Sequence, residues 1–147
     1  MARPYLLLAL NIVASLIIMY FVMFAMIDGW GDFYNNINMA YMAVMMAAPM
    51  GPLMLLTMPG MYPSRPLNLA LHALFVLAFI AAFAAIRWQA AIGDDQFIRS
   101  MIPHHSGAIL MCREADLTDA ELAALCEDIK AAQRREIEQM QAIHERL

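Results

Sequence analysis

Two adjacent histidines, His104 and His105, stand in the largely apolar run RSMIPHHSGAILMC, residues 99–112. Met101 lies three residues before the first of them, and Met111 six residues after the second. Imidazole suits copper, zinc, iron and nickel, whereas a thioether selects soft Cu(I) or Ag(I). On a helix, positions i, i+3 and i+4 share one face, so Met101, His104 and His105 offer one sulfur and two nitrogens from adjacent turns. That set is a platform for a soft monovalent ion, completed by Met111, by Met140 or by a second chain. The rival reading makes the same residues a core. A buried histidine is commonly satisfied by a carboxylate, here Glu136, and methionine is a flexible core filler as well as a ligand.

These residues need helices to position them. IGDDQF supplies Asp94 or Asp95 as an N-cap, and helical periodicity then runs to about Ala115. DLTDAE reads as a turn followed by a capping box of Thr118 with Glu121, opening a second helix that continues to the C-terminus. An ideal wheel puts Phe97, Met101, His104, His105, Ala108, Met111 and Cys112 on one face of the first helix. The apolar face of the second holds Leu122, Leu125, Cys126, Ile129, Ile137, Met140 and Ile143. Gln133, Glu136 and His144 share that face as further ligand candidates, although the position of His144 near the chain end favours a structural role. Cys112 and Cys126 lie on facing sides of this hairpin. An oxidising compartment favours a disulfide between them, and a reducing one leaves two soft thiolates. Two helices over 92–147 are too few to bury a core alone. The hairpin is therefore expected to pack on a second copy or on the preceding helices.

Residues 1–91 read as a membrane domain. The chain of 147 residues is 63% hydrophobic and 15% charged, against about 25% charged in soluble domains. Three apolar stretches, about 5–27, 37–58 and 67–90, each reach the roughly 20 residues of helix that cross a bilayer. The first is too long for a signal peptide's apolar core and reads as a retained span. The second is interrupted by APMGP, where Pro49, Gly51 and Pro52 are expected to kink the helix. Arg3 precedes the first span and Arg65 lies between the second and third, while the loop carrying Asp28 and Asp32 has no Lys or Arg. The positive-inside rule then makes the N-terminus cytoplasmic and residues 92–147 periplasmic, in a bacterial inner membrane. Arg87 opposes this mildly and can snorkel outward. The net charge of −4 offers no basic patch for nucleic acid.

The second span also carries Met42, Met46, Met50, Met54 and Met58, one methionine every four residues. Such a ladder could pass Cu(I) or Ag(I) between sites, although methionine packs in lipid as readily as leucine does. His72, a turn into the third span, is an ionisable residue in a membrane segment and so a further ligand candidate.

MIPHHSGAILM followed by DIKAAQRREIEQM resembles the domain-of-unknown-function 305 family. Met101, His104, His105, Ala108 and Met111, then Ile129, Gln133, Glu136, Ile137 and Met140, are the matching positions. The resemblance covers about the last 55 residues. It implies a ferritin-like four-helix bundle, and some members are periplasmic copper-binding proteins linked to copper resistance. Carried onto this chain, it implies Met101, His104, His105, Met111 and Met140 as metal ligands, with Gln133 and Glu136 supporting them. A single hairpin here makes a homodimer the simplest route to four helices.

The sequence therefore predicts an all-α protein, with three transmembrane helices followed by a hairpin that forms a four-helix bundle by dimerisation. Its expected function is membrane-anchored, periplasmic binding of Cu(I), with Ag(I) an alternative cargo. A structural module whose hairpin mediates oligomerisation or partner binding is the other reading. No Ser-His-Asp set, HExxH or phosphate loop points to an enzyme.

Overall fold

The computed structural model describes residues 2–147, and the described residues form helices and no strand. The α-helices are α1 (Ala2–Val22), α2 (Ile37–Ala47), α3 (Met50–Thr57), α4 (Arg65–Trp88), α5 (Asp94–Glu114) and α6 (Ala120–His144), with short 3-10 turns at Met23–Met26 and Trp30–Asp32. Three segments are long and apolar enough to cross a membrane: Arg3–Met26, Ile37–Thr57 and Arg65–Trp88. The chain divides into two compact units, one of residues up to Val22 with Asn38–Ala90, the other of Met23–Ile37 with Ala91–Leu147. The stretch 23–37 thus belongs with the hairpin, not with the long apolar helices that flank it in sequence.

In the first unit, Leu8, Leu55 and Tyr62 form the buried centre, with Tyr5, Ile12, Met54 and Leu71 packed around them. The proline break falls where the sequence predicts it: α2 ends at Ala47 and α3 begins at Met50. Beyond the break, Gly51 is buried against the Phe75 ring, where a Cβ would collide with the ring carbons. A polar knot closes one end of the unit. The Tyr5 hydroxyl donates to Asn68 Oδ1 at 2.9 Å and accepts from the Ser64 amide at 3.0 Å. Asn68 Nδ2 in turn donates to the Tyr62 carbonyl at 2.9 Å.

In the second unit, α5 and α6 form the expected hairpin, closed by a Cys112–Cys126 disulfide. The caps differ from expectation. Gly93 precedes α5, with Asp94 and Asp95 inside its first turn, where their charge suits the helix dipole. Asp119, one residue after Thr118, caps α6 by accepting from the Leu122 amide at 2.8 Å.

The buried face differs too. Ile98, Ile102, Ile109 and Ile137 make the seam between the helices, joined by Tyr34, Met140 and Ile143. Phe97 and Met111, expected inside, are 52% and 58% exposed, and Leu122 and Leu125 on α6 are exposed as well. On α5 the seam centres roughly 100° further round the helix than predicted. Large aliphatic side chains take the helix contact and leave the methionine–histidine stripe at its edge.

The third component of the unit, residues 23–37, lies along α5. Pro103 explains one attachment. It has no N–H, so the Arg99 carbonyl one turn back loses its helical donor. Asn36, itself buried, donates from Nδ2 to that carbonyl at 3.3 Å. The Gln96 side chain accepts the Ile37 amide at 2.9 Å. The hydroxyl of Ser106, wholly buried, accepts from the Asp28 amide at 2.7 Å and donates to Asp32 Oδ2 at 2.6 Å. Arg113 of α5 and Arg134 of α6 both pair with the Asp28 carboxylate.

Candidate metal centre

Consecutive helical residues diverge by about 100°, so a histidine doublet cannot face one direction. His105 turns into the hairpin and its side chain is 12% exposed, while His104 lies exposed beside it, the two rings edge to face with centroids 5.9 Å apart. His105 Nε2 sits 3.1 Å from Glu136 Oε2. An ionised carboxylate only accepts, so Nε2 carries the proton. Burial holds the His105 pKa below its ordinary 6.5, with Glu136 opposing and His104 adding to the depression. The ring is therefore neutral at pH 7, with its lone pair on Nδ1. That atom is buried and has no hydrogen-bond partner. A ring whose far N–H is fixed by a carboxylate is the arrangement that orients a metal-ligating histidine.

Gln133 Oε1 is likewise buried without a partner. His105 lies seven residues before Cys112, and Gln133 seven after Cys126. Seven residues are close to two full turns, so the disulfide register brings His105 and Gln133 level in the seam. His105 Nδ1 and Gln133 Oε1 are thus two buried acceptors without a partner at one level of the hairpin.

The other predicted ligands divide by place. Met101 is half-buried one turn before His105, and Met140 packs on the isoleucine cluster. Met111 is exposed. His144 is engaged structurally: its ring meets Tyr34 edge-on at 5.8 Å, and Nδ1 lies 3.4 Å from Asp95 Oδ1. Among the described residues, no three side chains drawn from His, Cys, Asp and Glu form a metal-holding group. The cysteines are bonded to each other and offer no thiolate.

In the first unit, Met42, Met46 and Met58 are exposed, and Met50 and Met54 half-buried. Ala43, Ala47, Ala48, Gly51 and Leu55 are the buried positions of the same stretch. The structure therefore turns most of the ladder away from the packed face. Met54 Sδ accepts from Asn11 Nδ2 at 3.8 Å. His72 Nδ1 donates to the Asn68 carbonyl at 2.7 Å, which leaves Nε2 buried and unpartnered.

Sequence reasoning missed Ser106, Pro103 and Asn36, which fasten residues 23–37 to the helix bearing the histidines. Pro103 inside a helical pattern was the available signal, because a proline always orphans a carbonyl one turn back.

The architecture is that of an all-helical protein with candidate membrane spans and a disulfide-closed hairpin whose seam holds an unsatisfied histidine. The chain belongs to the domain of unknown function family 305, whose model matches residues 78–144. The match begins inside α4 and so reaches further back than the hairpin. An uncharacterised protein of Acanthamoeba polyphaga mimivirus is 30% identical over 115 residues, covering 77% of this chain and 74% of that protein. No solved structure matches.

Proposed function

We propose that the protein is a membrane-anchored carrier of soft monovalent metal, holding Cu(I) or Ag(I) as cargo on the hairpin. The carrying observation is His105, a neutral imidazole whose buried Nδ1 lone pair meets no donor while its other nitrogen is fixed by Glu136. Leaving a buried acceptor empty costs free energy, which a bound cation would recover. Met101 and His104, four and one residues before His105 on the same helix, are the further donors this reading assigns. The charge pattern around the spans supports placing the hairpin outside the cytoplasm, where its disulfide is stable. The outward-facing methionine ladder takes no part in this reading.

The test is an anaerobic titration of the full chain with Cu(I) against a competing chromophoric chelator. Met101→Leu with His105→Asn should abolish tight binding, while Met46→Leu with Met58→Leu should leave it intact. Binding that survives the first pair would refute the site. It would favour the second reading, an interaction module in which the His105–Glu136 contact is only a core hydrogen bond.

A further inference from the structure

We propose that the first unit holds an anionic phospholipid, with one acyl chain in the groove between α1 and α4 and the phosphate at Arg3 and Arg65. The inference rests on the membrane-anchored reading above and is independent of the metal.

The groove encloses about 290 Å³, and its lining includes Leu8, Ile12, Leu67, Leu71, Leu74 and Phe75. Its walls belong to Arg3–Met26 and Arg65–Trp88, two of the segments long and apolar enough to cross a membrane. Helix α3 packs against both α1 and α4, so the concavity belongs to the packed unit. From Tyr5 to Val13 the lining positions of α1 climb about 12 Å along the helix axis. A bilayer's hydrocarbon is about 30 Å thick, so the groove follows most of one leaflet.

One mouth of the groove is polar. Tyr5 lines it there, and its hydroxyl ties α1 to the start of α4 through the Ser64 amide and Asn68. Arg3 lies two residues before Tyr5 and Arg65 directly after Ser64, and both are exposed. The knot therefore sets both arginines at the same mouth. Helix α4 begins at Arg65, and its dipole adds positive potential there. The unit's own sequence supplies no counter-charge. Across residues 1–22 and 38–90 the charged side chains are Arg3, Arg65 and Arg87, without an Asp or Glu.

An apolar groove opening on two unneutralised guanidiniums matches a molecule that joins an acyl chain to a phosphate. Arginine pairs with phosphate oxygens through two parallel hydrogen bonds, and the charge-assisted bond is the stronger kind. A second copy of this unit brings no carboxylate to the mouth, so it does not match the charge. A phosphatidylcholine brings its own cation there, which favours phosphatidylglycerol over it.

Native mass spectrometry of the full chain released from micelles, with the two lipids supplied in equal amounts, tests the site. Wild type should retain one phosphatidylglycerol per chain, at least tenfold over phosphatidylcholine, and excess inorganic phosphate should not displace it. Arg3→Gln with Arg65→Gln should lower that retention at least tenfold, and Arg3→Lys with Arg65→Lys should keep most of it. Arg87→Gln, which removes one charge near the other end of α4, should leave it unchanged. Ala9→Leu puts bulk in the groove and should lower retention at least tenfold with both arginines in place. Equal retention of the two lipids, or as large a loss in Arg87→Gln, would overturn the site and leave the spans standing. Retention untouched by Ala9→Leu, or lost to inorganic phosphate, would overturn the groove as the seat of an acyl chain. Release of the full chain from membranes by alkaline carbonate would overturn the membrane-anchored reading, and the lipid site with it.

Discussion

Replacing Ser106 by alanine removes a hydroxyl that has no access to water and serves two partners. It accepts the Asp28 amide at 2.7 Å and donates to the Asp32 carboxylate at 2.6 Å. A neutral hydrogen bond contributes about 1 kcal/mol net, and one to a charged group about 1.5–3 kcal/mol. Asp32 can recover part of its loss from solvent, but the Asp28 amide faces a methyl group. The expected cost is roughly 2–4 kcal/mol. It should fall on the attachment of residues 23–37 and spare the α5–α6 seam, which is held by isoleucines and a disulfide. Hydrogen exchange on the full chain in micelles separates the two. The amides of Asp28 and Asp32 should exchange at least tenfold faster, and those around Ile109 and Ile137 should change little. Ser100→Ala is the control, since that hydroxyl donates to the Gln96 carbonyl within its own helix. If Ser106→Ala moves the Asp28 amide no more than Ser100→Ala does, the hydroxyl is not the fastening argued here.

Three further outcomes are expected. Asn36→Ala should destabilise the hairpin unit by about 1–2 kcal/mol in the wild type by leaving the Arg99 carbonyl bare. The cost should shrink when Pro103→Ala restores a helical donor, a coupling that a double-mutant cycle in denaturant measures. Removing the disulfide as Cys112→Ala with Cys126→Ala opens a loop with a sequence separation of 14. The thermal midpoint should fall with a loss of about 3 kcal/mol. For pH, the folded His105 binds its proton less readily than the unfolded chain does at its ordinary 6.5. Stability of the metal-free protein is then complete above 6.5 and declines as pH falls from there towards the depressed folded value. A melting series with His105→Asn should show that decline flattened, and an unchanged pH slope would contradict the buried neutral ring.

Which parts of the molecule were legible in the sequence follows from which signals are local. Span lengths, the proline break before α3 and the hairpin are carried by runs of residues whose own hydropathy or backbone restriction decides them. The face of α5 was not, because methionine, histidine and phenylalanine compete there with isoleucine for a single seam. A wheel counts them alike, whereas packing favours the side chains that fill the contact without polar atoms. Thr118 and Asp119 are both good caps, and only the chain's path into α6 selects the second. The docking of residues 23–37 on α5 joins positions more than 70 apart in sequence, such as Asp28 with Ser106. No periodicity reports a contact of that range.

The histidine doublet gains its meaning from the divergence of neighbouring residues on a helix. Had both histidines served a core, spacing of three or four would have placed them together on the seam. As neighbours they serve two surroundings, one ring held inside by Glu136 and the other exposed on the stripe. Met101 stands three residues before one and four before the other, within reach of both directions. An interior lone pair, a thioether and an exterior ring thus lie in order around α5, from the seam to its open face.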